Sequence, residues 1–109
     1  MLDQIQFDSD KIQNGTWVNL HNSKLLIAHS SKPEFRNALV SKACDGHQIT
    51  DIEICNEIAT YILLDWYDIK TPWGGDLEYS KDLAAYALST NAELRDFVDH
   101  VSVDYSYFK

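Results

Sequence analysis

Little in this chain is basic. Nine Lys and Arg stand against seventeen Asp and Glu, a formal net charge of −8. Non-specific nucleic-acid binding needs a basic surface that neutralises phosphates, so nucleic acid is not an expected partner. The only close basic pair near a predicted element is Lys32 and Arg36, and Lys42 is isolated. Cysteine is scarce as well. Cys44 and Cys55 alone make no disulfide framework. Both are expected to stay reduced, as in a cytosolic protein. No uninterrupted apolar run approaches the ~20 residues that a membrane-spanning helix needs. The amino-terminal MLDQIQFDSDK is acidic and has no apolar core of signal-peptide length. Neither an export signal nor a membrane partner is therefore expected. There is no internal repeat and no low-complexity segment.

Catalytic signatures are missing too. No Gly-x-Ser-x-Gly elbow occurs. HExxH, a dinucleotide fingerprint and a P-loop lysine after Gly74-Gly75 are also absent. Enzyme activity is not expected, with no catalytic residues and no cofactor. Three weaker constellations have bland readings beside them. Cys44, His47 and Cys55 could offer metal ligands, but the second ligand pair of a zinc site is missing. They read better as two loop side chains and a core thiol. Asp96 and His100 share a helix face four residues apart, without a nearby nucleophile or further ligand. Asp65 and Asp68 flank Trp66 at no catalytic spacing.

What the chain has is apolar and aromatic substance. Its 109 residues are 45% hydrophobic, with three Trp, six Tyr and four Phe. That fits one globular domain over 1–109, with 1–13 as a loose amino-terminal arm. A chain of this size buries roughly two-thirds of its unfolded surface, enough for one core.

The elements follow from periodicity and punctuation. Thr16-Trp17-Val18-Asn19-Leu20 and Lys24-Leu25-Leu26-Ile27-Ala28-His29 are strand-like runs around a polar break. Together they predict a β-hairpin over about 16–29. Ser31-Lys32-Pro33-Glu34 opens a helix over about 33–43. Thr50 and Glu53 form a capping box ahead of the longest helical pattern. Its apolar arc of Cys55, Ile58, Ala59, Ile62, Leu63 and Trp66 predicts a central helix over about 51–67. The Pro72-Trp73-Gly74-Gly75 loop breaks the chain. Ser80 and Asn91 cap helices over about 81–89 and 92–103, the second fraying into an aromatic tail. The expected class is α+β, mainly α.

Binding features are better supported than catalytic ones. Leu64 projects from the polar side of the predicted central helix, and Trp73 sits in the Pro/Gly loop. Tyr105, Tyr107 and Phe108 crowd the end of the chain. Large aromatics at a surface are favoured anchors for protein partners, so these five are candidate protein-binding residues.

The order of segments resembles the small tail assembly chaperones of long-tailed bacteriophages and prophages. The matching stretches are Gly15-Thr16-Trp17-Val18, Lys32-Pro33-Glu34-Phe35-Arg36 and Leu63-Leu64-Asp65-Trp66. Glu78-Tyr79-Ser80 and Ala92-Glu93-Leu94-Arg95-Asp96-Phe97-Val98 complete the set, followed by an aromatic near the end. The resemblance implies a non-enzymatic protein that binds the long, helical tape measure protein while tail subunits polymerise around it. The tail tube protein and self-association are further partners it suggests. It also implies the bacterial host cytoplasm as location, absence from the mature virion, and the short product of a gene that is frameshifted in many phages. The rival expectation is an acidic regulator or inhibitor, such as a DNA mimic or a host-protein binder. A small metal-dependent enzyme using Cys44 and His47 is a third.

Overall fold

The computed structural model describes residues 8–43, 48–70 and 73–109. Two strands form as the alternation predicts, β1 (Thr16–Leu20) and β2 (Ser23–Ile27). They pair antiparallel, with Leu20 opposite Ser23, so the turn between them is His21-Asn22. His21 takes φ +56°, a left-handed conformation that His enters more readily than most residues. Val18, Leu25 and Ile27 point into the core, and Trp17, Asn19 and Lys24 point out.

The helix α2 (Pro33–Ala43) has the predicted bounds. So does the start of α3 (Asp51–Tyr61), where Thr50 and Glu53 exchange both capping-box bonds. Ser80 caps α4 (Lys81–Thr90) and Asn91 caps α5 (Ala92–Val103), each accepting a bond from the backbone N–H three residues on. Mainly helical α+β is thus the class of the fold.

The central helix is shorter than its periodicity predicts. It ends at Tyr61, and Leu63–Tyr67 is a strand, β3. β3 pairs antiparallel with β2, giving a sheet in the order β1-β2-β3. Leu26 stands opposite Asp65 and Ile27 opposite Leu63, so Leu64 is the extra residue of a β-bulge. The bulge lets Leu63 and Trp66 both face the core, although three positions separate them.

No loop separates α3 from β3. Ile62 closes the helix through its N–H to the Ile58 carbonyl, and its own carbonyl accepts the N–H of Ala28 beside β2. Three side chains hold this junction. The buried Lys32 ammonium donates to the carbonyl of Tyr61 at 3.0 Å, a cation at a helix carboxy terminus. The Tyr79 hydroxyl donates to the Leu63 carbonyl at 2.7 Å and lies 3.2 Å from that of Ala59. The Trp66 indole N–H donates to the Leu77 carbonyl at 2.8 Å, and its ring meets Tyr79 edge-on at 5.2 Å.

One buried cluster joins the inner sheet face to Cys55, Ile58 and Ala59 of α3, Ala84 and Leu88 of α4, and Leu94, Val98 and Val101 of α5. α4 lies against α3, where fully buried Ala59 and Ala84 permit close approach. The amino-terminal arm differs from expectation over its described part. Ser9–Asn14 is a short helix, α1, capped by Asp8. It is tied down by bonds from Asp8 N–H to the Phe108 carbonyl and from His29 N–H to the Ile12 carbonyl.

Gly15 follows α1 with φ +96° and ψ 159°, a region essentially reserved for glycine. A Cβ there would come within 2.8 Å of the Leu26 side chain. Gly74 also has positive φ but nothing within 4 Å. Gly15→Ala is expected to lower stability by about 3 kcal/mol, combining backbone strain with overpacking. Gly74→Ala should cost about 1 kcal/mol, from strain alone. Urea unfolding of both variants checks the difference.

Candidate protein-binding surfaces

The helices pack on the inner face of the sheet, and among the described residues no element covers its other face. Trp17 of β1 and Tyr67 of β3 both reach across that face. Their rings stack over β2, with centroids 5.0 Å apart and planes at 22°. Trp17 is 45% exposed and Tyr67 57%. Leu26 lies between the two outer strands, and Leu64 sits beside it, both half-buried. The close packing of Gly15 against Leu26 and Leu64 makes this corner a continuous apolar surface. The same face also carries Asn19, Lys24 and Asp65 beside these apolar residues.

The five candidates from the sequence part company here. Leu64 is not an exposed residue on a helix. It is the bulge residue of β3, half-buried in the open face. Trp73 is 90% exposed, at the tip of a loop closed by the Lys70–Asp76 bridge and ion pair. Pro72 lies outside the described residues. Tyr105 and Tyr107 are partly exposed on a carboxy-terminal 3-10 turn (Tyr105–Phe108). Phe108 is fully buried, which corrects its assignment as a surface anchor: its ring meets His29 edge-on and its carbonyl accepts the Asp8 N–H that opens α1. Of the four remaining candidates, Tyr105 and Tyr107 share the carboxy-terminal turn, and neither Leu64 nor Trp73 belongs to it. Trp17 and Tyr67, whose rings stack across the open face, were not among the five. Alternation along Thr16–Leu20 already turns Trp17 outward once Val18 is placed inside. Tyr67 had no such signal, because its segment reads as helix.

Cys44 and His47 lie outside the described residues, and Cys55 is a buried free thiol on α3. No cluster of three metal-ligating side chains occurs among the described residues. Asp96 and His100 are exposed on α5. Among the described residues no helix is long and apolar enough to cross a membrane.

The carboxy-terminal turn packs on a histidine. His29 is only 4% exposed, stacked on Tyr105 at 4.0 Å and edge-on to Phe108 at 5.1 Å. Its Nδ1 accepts the Ser31 N–H at 2.9 Å, which places the proton of the neutral ring on Nε2. Nε2 is buried without a hydrogen-bond partner among the described residues. Burial pushes the His29 pKa below its ordinary 6.5, and the Arg36 charge adds to the shift.

No protein-family model, curated protein or solved structure matches this chain.

Above pH 6.5 His29 is neutral in the folded and the unfolded chain alike. Below it the unfolded chain takes up the proton first, so folding stability falls with pH. His29→Gln should be less stable at pH 7.5 but change less between pH 7.5 and 5 than the parent. Urea midpoints across that range measure it.

Proposed function

We propose that this protein is a tail assembly chaperone of the long-tailed bacteriophage type. It binds the tape measure protein without catalysis and keeps it competent while tail subunits assemble. It acts in the bacterial host cytoplasm and leaves before the virion is complete. Two things support the reading. One is the ordered set of sequence features from Gly15-Thr16-Trp17-Val18 to Ala92–Val98. The other, which carries it physically, is the open sheet face built by Trp17, Leu26, Leu64 and Tyr67.

The mechanism is physical. An aggregation-prone helical client exposes an apolar stripe, which the open face covers. The sheet is three strands wide, roughly 14 Å at ~4.8 Å per strand, and a helix is about 10 Å across. One client helix therefore fits along it. The net charge of −8 keeps the complex from associating further. Trp73, exposed at its loop tip, is a second apolar contact point.

Purified chain at stoichiometric excess should suppress light scattering by tape measure fragments and co-elute with them. The double variant Trp17→Thr/Tyr67→Thr retains β-forming residues at exposed positions and should stay folded by circular dichroism while losing most of that effect. An absence of any effect from the parent protein would remove the reading.

A further inference from the structure

We propose that the trough between β3 and the segment 76–79 docks an extended peptide segment of a partner, one that alternates basic and apolar side chains. The inference is independent of the tape measure reading, and its surface adjoins the open face, with Leu64 and Tyr67 at the shared border. After β3 the chain turns at Asp68, which takes φ +61°, and comes back past the strand. The two lengths are joined at Lys70–Asp76 and by the Leu77 N–H to the Ile69 carbonyl, and then diverge. Side chains bridge the remaining gap at its base: Trp66 to the Leu77 carbonyl and Tyr79 to the Leu63 carbonyl. The result is a trough of about 380 Å³.

Its lining has two characters. Leu64, Trp66, Leu77 and Tyr79 make it apolar and aromatic, while Asp65, Asp68, Asp76 and Glu78 surround it with carboxylates. Asp76 is paired with Lys70, and Asp65 accepts the Trp66 N–H. Asp68 and Glu78 form no close ion pair among the described residues; the Lys70 ammonium, held by Asp76, is within electrostatic reach of Asp68 alone of the two. Charge complementarity therefore selects a cationic occupant with apolar side chains for the floor. The position selects an extended one: β3 is the edge strand of the sheet on this side, and the outward backbone groups of an edge strand pair with extended chain, not with helix.

Other occupants fit less well. Nucleic acid is repelled by the carboxylates. A divalent ion lacks three close ligands among the described residues. A second copy of this chain has dispersed bases, and its Lys32 is buried against the Tyr61 carbonyl.

The test uses the full chain and a dye-labelled hexapeptide alternating Val and Lys, followed by fluorescence anisotropy. Binding should weaken by about tenfold in Asp68→Asn/Glu78→Gln, as expected for loss of two exposed charge pairs. It should be unchanged in Asp96→Asn/Asp99→Asn on α5. The same peptide with Glu in place of Lys should not bind. Amide shifts in the parent protein should concentrate at 64–68 and 76–79. No binding of the Lys peptide would overturn the proposal, as would equal weakening by the α5 variant or amide shifts centred elsewhere. Equal affinity for a helix-forming peptide of the same charge would overturn its extended form.

Discussion

The passage from α3 into β3 at Ile62 is the constraint on which the rest depends. A helix ends and a strand begins with no intervening loop. The last helical carbonyls must find donors at once, and they do so through tertiary contacts. Lys32 comes from before α2 and Tyr79 from before α4. Both are far away in sequence, so the junction exists only in the assembled fold. Its cost is visible in Lys32, whose ammonium is pushed below its ordinary pKa by burial. The return is a third strand, the edge that completes the sheet.

That strand also explains where the sequence was legible and where it was not. Caps are local side-chain-to-backbone chemistry, so Thr50 with Glu53, Ser80 and Asn91 mark three helix starts correctly. The hairpin was legible from alternation. The end of α3 was not, for a specific reason. The bulge at Leu64 buries Leu63 and Trp66, three positions apart, which is also the spacing of a helix face. No Gly, Pro or Asn marks the junction at Tyr61-Ile62-Leu63 either. Periodicity therefore ran through a boundary that only packing sets. Phe108 was misplaced for a related reason. Its burial comes from docking against Asp8 and His29, remote positions that no sequence window contains.

The two proposed surfaces share β3. Leu64 contributes to the open face and to the trough, because the bulge places it beside Asp65 on the outer side. Tyr67 likewise stacks on Trp17 and lines the trough. The open face is suited to apolar helical surface and the trough to extended basic chain. The segment Leu63-Leu64-Asp65-Trp66 is thus a site-building element as well as a core anchor. The exposure of Trp73 could be read from its place in the Pro/Gly loop, whereas Leu64 was placed on a helix and is the bulge residue of β3. The stacked pair could not be read from the sequence, since half of it lies on the unrecognised strand.

The central claim is that the chain leaves helical conformation at Ile62 and pairs Leu63–Tyr67 with β2. Backbone NMR of the full chain tests it most directly. The account predicts strand-type Cα and Cβ shifts over Leu63–Tyr67, with cross-strand contacts between Leu25 and Trp66 and between Lys24 and Tyr67. Helical shifts continuing without a break from Tyr61 through Trp66, and no such contacts, would contradict it and dissolve both surfaces.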